Sequence, residues 1–402
     1  MRTPISERKL VFLIGTARFI ATLDFAIVPP LGPDFARALG IPVSKLGMLG
    51  GSYIAAEVVA AIAGAFFLDR FDRRRALAGA LAGLAVATAA GGLATGFASL
   101  LVARMVAGLF GGATDTLAFA IVADAVAPER RGRAVGALQS SFAVASMLGV
   151  PAGLELARLG GWRAPFFALA ALGAATVATM SMLPPQRTHL SAQSTPFREM
   201  LSRPLVRLAL IAGIVGTMAH YMLVPNLSAY IQFNRGYPRD RLSLLYMIGG
   251  AFVFGTARLA GWLTDRHGTP PIVLFGTTLY AAVLIFGFIY PVDMLPVLVV
   301  FVSLMISSSF RFIPMQALSL RIPALHERAR FVSTQSVVAC AAQAFGAMLG
   351  AQILTEHPDG SLAGIDDLAW LAIAMTSVYA GLGYAIERRA RARIVGSARQ
   401  PP

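Results

Sequence analysis

The chain is poor in several residue types, and each shortage closes off a class of function. Its one cysteine, Cys340, lies inside an apolar segment, which leaves no disulfide framework and no cysteine-based metal centre. Of the 34 basic residues only Lys9 and Lys45 are lysines, and neither ends a glycine-rich loop, so an ATP-driven pump is excluded. No His-Glu-x-x-His or Gly-x-Ser-x-Gly pattern occurs, which argues against an intramembrane enzyme. Charged residues make up 13% of the chain, too few for the polar shell of a soluble globule. The net charge of +14 arises from short basic clusters between apolar segments, with no basic stripe or recognition motif, so nucleic acid is not an expected partner.

What the chain has in quantity is apolar surface. Hydrophobic residues reach 56% and the mean hydropathy is +0.68, values that belong in a bilayer. A window of about 20 residues, the length a helix needs to cross the hydrocarbon, predicts twelve spans. Their limits are 10–32, 44–68, 76–95, 98–125, 134–157, 163–183, 205–231, 241–264, 271–291, 295–320, 331–354 and 366–386. The first follows Arg8 and Lys9 without a small-residue cleavage site, so it reads as a spanning helix and not a removed signal peptide. With both termini in the cytoplasm, 23 basic residues fall on the cytoplasmic side and 7 outside, the asymmetry that orients inner-membrane proteins. The expected location is therefore the bacterial inner membrane.

The longest polar stretch, 184–204, separates spans 6 and 7 and predicts a cytoplasmic linker between an N-terminal six-helix bundle, 1–183, and a C-terminal one, 205–402. The halves look like copies. Val28-Pro29 and Leu31 are echoed 196 residues later by Val224-Pro225 and Leu227, and Asp69 by Asp265. Parallel repeats of this kind mark transporters whose halves move about a central site. The predicted fold class is all-α membrane protein, with twelve transmembrane helices in two pseudo-symmetric bundles.

The run AFFLDRFDRRR resembles the loop 2/3 motif of the major facilitator superfamily: Asp69, Arg70 and Arg73 match, while Ala65 and Asp72 stand where that motif has glycine. The second copy keeps Gly261, Asp265, Arg266 and Gly268 without the basic tail. Arg104, Gly108 and Gly111 resemble the fourth-helix motif of proton-coupled antiporters. GVPAGLELARLGGWRAPF, with Gly149, Pro151 and Gly153, is similar to the fifth-helix antiporter motif of proteins named arabinose efflux permeases. The resemblance implies drug:proton antiport, a cavity lined by spans 1, 4, 7 and 10, and an acid in the N-terminal half that takes up the proton while the fourth-helix arginine tunes it. It also implies that the Asp69 and Asp265 clusters hold the cytoplasmic ends together in one state, although a topogenic charge cluster explains Arg70 and Arg73 as well.

The ionisable residues inside spans are Asp24, Glu57, Arg104, Asp115, His220 and Arg311. An Asp or Arg at the bilayer centre costs about 2.5–3.5 kcal/mol, so these groups must face one another or a wet cavity. At about 1.5 Å per residue, Asp24 and Arg104 lie within about 3 Å of the same depth, so they are expected to pair. Their partnership, with Glu57 as the rival site, is the candidate for proton coupling. Asp115, Arg311, His220 and Asn226 form the candidate substrate cavity; the 196-residue offset places Arg311 at the counterpart of Asp115 and His220 at that of Asp24. Either Asp115 and Arg311 pair across the halves, or Arg311 and His220 hold an anionic or zwitterionic cargo, or Arg311 has only a structural bond. Arg18 and Arg258 are expected to snorkel, with Arg258 bonded to Asp265.

The expected function is proton-coupled efflux of a small molecule by alternating access, with protons, cargo and lipid as partners, no cofactor and no metal, in a monomer. The alternatives are an importer or uniporter of the same fold, and a non-transporting sensor or assembly partner. Cargo class stays open between polar molecules and hydrophobic drugs or sugars.

Overall fold

The structure is a computed structural model and describes residues 7–67, 72–126, 128–180, 197–292, 295–323 and 328–397. It is almost wholly helical. The helices are α1 (Glu7–Ala26), α2 (Val28–Leu39), α3 (Leu46–Phe67), α4 (Arg73–Gly92), α5 (Phe97–Ala125), α6 (Pro128–Val144), α7 (Val150–Gly160) and α8 (Ala164–Met180) in the first half. After a short α9 (Phe197–Ser202) come α10 (Pro204–Tyr221), α11 (Leu227–Ala229), α12 (Leu242–His267), α13 (Thr269–Leu284), α14 (Val297–Ser319), α15 (Arg328–Ile353) and α16 (Ile365–Ser397). Among the described residues, ten helices are long and apolar enough to cross a bilayer, counting those that continue through a turn of tighter or wider helix. The pair α1 and α2, bent by 46°, passes the same test when taken together, and α8 is apolar over its 17 described residues. Among the described residues each of the twelve expected segments is thus largely helical, and the first is broken.

The break in the first span follows from its sequence. Pro29 and Pro30 open α2 and lack the N–H groups that would bond back into α1, so the chain turns there while Ile27 still bonds Leu23 O at 3.0 Å. The echo at Pro225 does the same: α10 stops at Tyr221 and a tight turn over Val224–Asn226 intervenes before the helix resumes.

The chain forms two compact units. The first comprises Met1–Ser191 with Val224–Met247 and Thr355–Leu362. In it α5 packs along α3 and α4, and α4 along α8. The α3–α5 contact depends on small residues: a Cβ on Gly108 would sit 2.1 Å from the Tyr53 carbonyl oxygen, and one on Gly112 2.7 Å from Glu57 Cγ. Segment 224–247 lies against α2 and α3 and is tied there by polar bonds. Arg239 grips Asp34 with both Nε and Nη2, at 2.6–3.0 Å. Asn234 exchanges two hydrogen bonds with the Leu362 backbone, and Arg37 lies over the Phe233 ring.

The second unit comprises Ala192–Leu223, Ile248–Leu354 and Ala363–Pro402. Here α10 packs between α15 and α16, and α13 against α14 and α16, around buried Val206, Leu210, Val273, Met315, Phe331 and Tyr379. Gly346 and Gly350 let α15 approach the α10 backbone as Gly108 does in the first unit. Phe12, Val86, Leu93, Trp262, Leu274, Phe345 and Val378 are exposed on the outside, where acyl chains are the solvent.

Candidate functional site

Asp24 stands on the last turn of α1 before the break and is 1% exposed. Its Oδ2 accepts from Arg104 Nη2 at 2.9 Å, and the same nitrogen donates to the Asp24 carbonyl at 3.1 Å. Its Oδ1 accepts from the hydroxyl of Thr88 on α4 at 2.8 Å, a proton shared with Leu84 O. Arg104 lies 4.5 Å from the centre of the Tyr53 ring, while its Nε and Nη1 are buried without hydrogen-bond partners. The pair expected from depth is formed, inside the first unit. Sequence reasoning missed Thr88 and Tyr53. A threonine in an apolar helix normally bonds back to its own i−4 carbonyl, as Thr88 also does, so it carries no distinguishing mark.

A second cluster lies on the same helices. Arg18 Nε donates to Asp115 Oδ1 at 3.0 Å, its Nη1 donates to Leu138 O, and its guanidinium covers the Phe119 ring at 4.6 Å. This corrects one expectation: Arg18 does not snorkel but is bonded to Asp115 within the first unit. The reason is local, because α1 runs along α5 and brings Arg18 to Asp115 within one bundle. Glu57 on α3, packed on Gly112, feels the charges of Asp115 and Arg18, and among the described residues its carboxylate accepts no hydrogen bond. When all three are ionised, the cluster carries one negative charge in excess.

In the second unit, Arg311 is fully buried with its guanidinium 3.6 Å from the centre of the Tyr280 ring. Its Nη1 donates to Thr376 Oγ1 at 3.2 Å; its Nε and Nη2 have no partner. The Tyr379 hydroxyl donates to the Arg311 carbonyl and the Tyr280 hydroxyl to Ala219 O, each at 3.3 Å. His220 and Arg311 flank one ring, that of Phe312, each 5.4 Å from its centre. In this structure Arg311 thus has a structural bond, made to a threonine hydroxyl. Asn226, buried with both amide atoms unpartnered, belongs to the first unit, whereas His220 and Arg311 belong to the second.

Asp69 and Arg70 lie outside the described residues. Arg73 starts α4, capped by Asp72, whose carboxylate accepts from the Arg75 N–H at 2.9 Å. In the second copy Gly261, Asp265 and Arg266 end α12, and Gly268 closes it with φ +84°, a left-handed backbone suited to glycine. Asp265 is exposed and lies 4.0 Å from Arg321; Arg258 covers the Phe254 ring, correcting the expected Arg258–Asp265 bond. Gly149 ends a widened helical turn over Ala145–Gly149, a turn that leaves room for Pro151. A Cβ on Gly149 or Gly153 would strike Leu23 or Ile27, so α7 packs directly on the end of α1 and its break. Asp34 and Arg239 were missed because both read as loop charges at the ends of spans. An apolar groove of 840 Å³ between α4 and α5 carries no ionisable side chain. Among the described residues no cluster of acidic, histidine and cysteine side chains fits a metal.

The family model of the Major Facilitator Superfamily matches residues 14–351. A chloramphenicol resistance protein of Streptomyces lividans is 28% identical over 283 residues, covering 67% of this chain and 68% of that protein. The inner membrane transport protein YdhP of Escherichia coli is 28% identical over 251 residues, covering 61% of this chain and 64% of that protein, so the chain aligns with less than two thirds of that relative's length. Among solved structures, a bacterial homologue of the human lysosomal transporter Spinster superposes with a TM-score of 0.77 at 14% identity, over 96% of this chain and 98% of that one. A D-xylose-proton symporter gives 0.76 at 15% identity, over 94% and 97%. A twelve-segment helical chain with a duplicated motif, buried intrabundle charges and this family match belongs to the Major Facilitator Superfamily, a family of membrane transporters.

Proposed function

We propose that the chain exports a small molecule across the bacterial inner membrane in exchange for protons, by alternating access, with both termini in the cytoplasm. The observation that carries the reading is the surplus carboxylate of the first unit. Asp24 accepts one hydrogen bond on each oxygen, from Thr88 and from Arg104, so protonating it disturbs a buried ion pair. Glu57 accepts a proton without breaking any, beside Asp115 and within the field of Arg18. Glu57 is therefore the proton acceptor in this conformation, and Asp24 with Arg104 is the pair whose rearrangement changes the state. The fifth-span motif around Gly149–Gly153 and the resistance protein among the relatives support export. Alternating access requires the bonds that fasten residues 224–247 to α2, Asp34–Arg239 foremost, to break and re-form.

The test is uptake of labelled chloramphenicol, and of a compound panel, into inverted membrane vesicles with and without an imposed proton gradient. Gradient-driven uptake that Glu57→Gln abolishes supports the reading. Uptake indifferent to the gradient, or unchanged in Glu57→Gln, overturns proton coupling at this residue.

A further inference from the structure

Among the described residues three buried arginines sit at membrane depth, and two of them have a counter-charge. Arg104 has Asp24 and Arg18 has Asp115. Arg311 is more deeply buried than Arg18, yet among the described residues no carboxylate pairs with it; its side-chain partners are the neutral hydroxyls of Thr376 and Tyr280. Two of its donors, Nε and Nη2, are buried and unused. Two more buried polar atoms without partners stand on neighbouring elements: Thr277 Oγ1 on α13, which packs against α14, and His220 Nδ1, whose ring meets that of Phe312, the residue after Arg311. The Tyr280 face, at 3.6 Å, solvates the cation only partly.

We infer that the C-terminal bundle holds a small inorganic anion of the halide class against Arg311 Nε and Nη2, with Thr277 and His220 as neighbouring donors. A guanidinium in low dielectric needs either a paired carboxylate or a bound anion, and this bundle supplies the donors without the carboxylate. Complete burial of Arg311 favours a monatomic ion over the carboxylate of a cargo. The anion is then a resident counter-ion that completes the electrostatics of this half, as Asp24 completes those of the other. This goes beyond the proposed transport activity, and neither depends on the other.

The experiment uses the purified full-length protein in detergent, with chloride replaced by gluconate or by acetate at constant ionic strength. Retained ³⁶Cl⁻ and the thermal unfolding midpoint are both read. The expected result is about one chloride per chain and a midpoint about 3 °C or more higher in chloride than in gluconate. Arg311→Met removes both the bound chloride and the chloride dependence. If that variant does not fold, the wild-type readings decide alone. No retained chloride with a flat midpoint overturns the inference and leaves a buried water at the site. Equal protection by acetate overturns the inorganic assignment in favour of a carboxylate site. Chloride retained by Arg311→Met overturns the assignment to Arg311.

Discussion

At the residue scale, the energetics turn on desolvated charge. Removing one member of a buried ion pair leaves the other uncompensated, which costs about 3–5 kcal/mol, whereas replacing both by apolar residues costs far less. Asp24→Asn is therefore expected to lower stability by about that amount, and Asp24→Leu with Arg104→Met to recover most of it, as read from unfolding midpoints in detergent. Glu57→Gln breaks no hydrogen bond and is expected to stay within about 0.5 kcal/mol of the parent while losing proton-driven transport. A larger loss of stability than of transport would assign Glu57 to packing. The Asp24–Arg104 pair was legible in the sequence because depth along two helices is simple arithmetic. The Arg18–Asp115 pair was not. The duplication directed Asp115 towards Arg311, while which faces of α1 and α5 meet is set by packing that a single sequence does not display.

At the element scale, close helix approach and helix breaks shape the site. Gly108→Ala is expected to force α3 and α5 apart, because its Cβ would meet the backbone of Tyr53 at 2.1 Å and a carbonyl cannot rotate away. A loss of about 1–3 kcal/mol, seen as a lower unfolding midpoint, is expected. The segment after α10 depends on charge instead. Asp34→Asn is expected to loosen residues 224–247 from α2, raising thiol labelling of Ser228→Cys in a Cys340→Ala background by several-fold, with Asp34→Arg plus Arg239→Asp restoring part of the protection. Unchanged labelling would show that the apolar contacts suffice. The rough limits of the spans were legible from hydropathy among the described residues, but the breaks at Pro29 and Pro225 fall inside segments read as continuous. The widened turn at Ala145–Gly149 was not legible either, since glycine and proline there announce only a bend.

At the scale of the whole molecule, the boundary between repeats and the boundary between compact units differ. The repeat divides the chain near the linker, yet the first unit draws in Val224–Met247 and Thr355–Leu362 from the second half. An N-terminal half expressed alone lacks those segments and the partners they bring to Asp34 and Arg37. It is expected to accumulate poorly and to resist protease less than when co-expressed with residues 197–402. Equal yield alone and together would show that the borrowed segments contribute little. The internal echo was readable because it leaves matching residues at one offset. The exchange of segments was not, because it arises from contacts between residues far apart in the sequence.

The prolines at 29 and 225 give each half one interrupted helix at the same station of the repeat. Joints inherited in pairs invite a shared duty: if the working cycle flexes both, straightening either one alone halts it as completely as straightening both. The duplication would then have bequeathed an obligation of symmetry as well as a second copy of the fold.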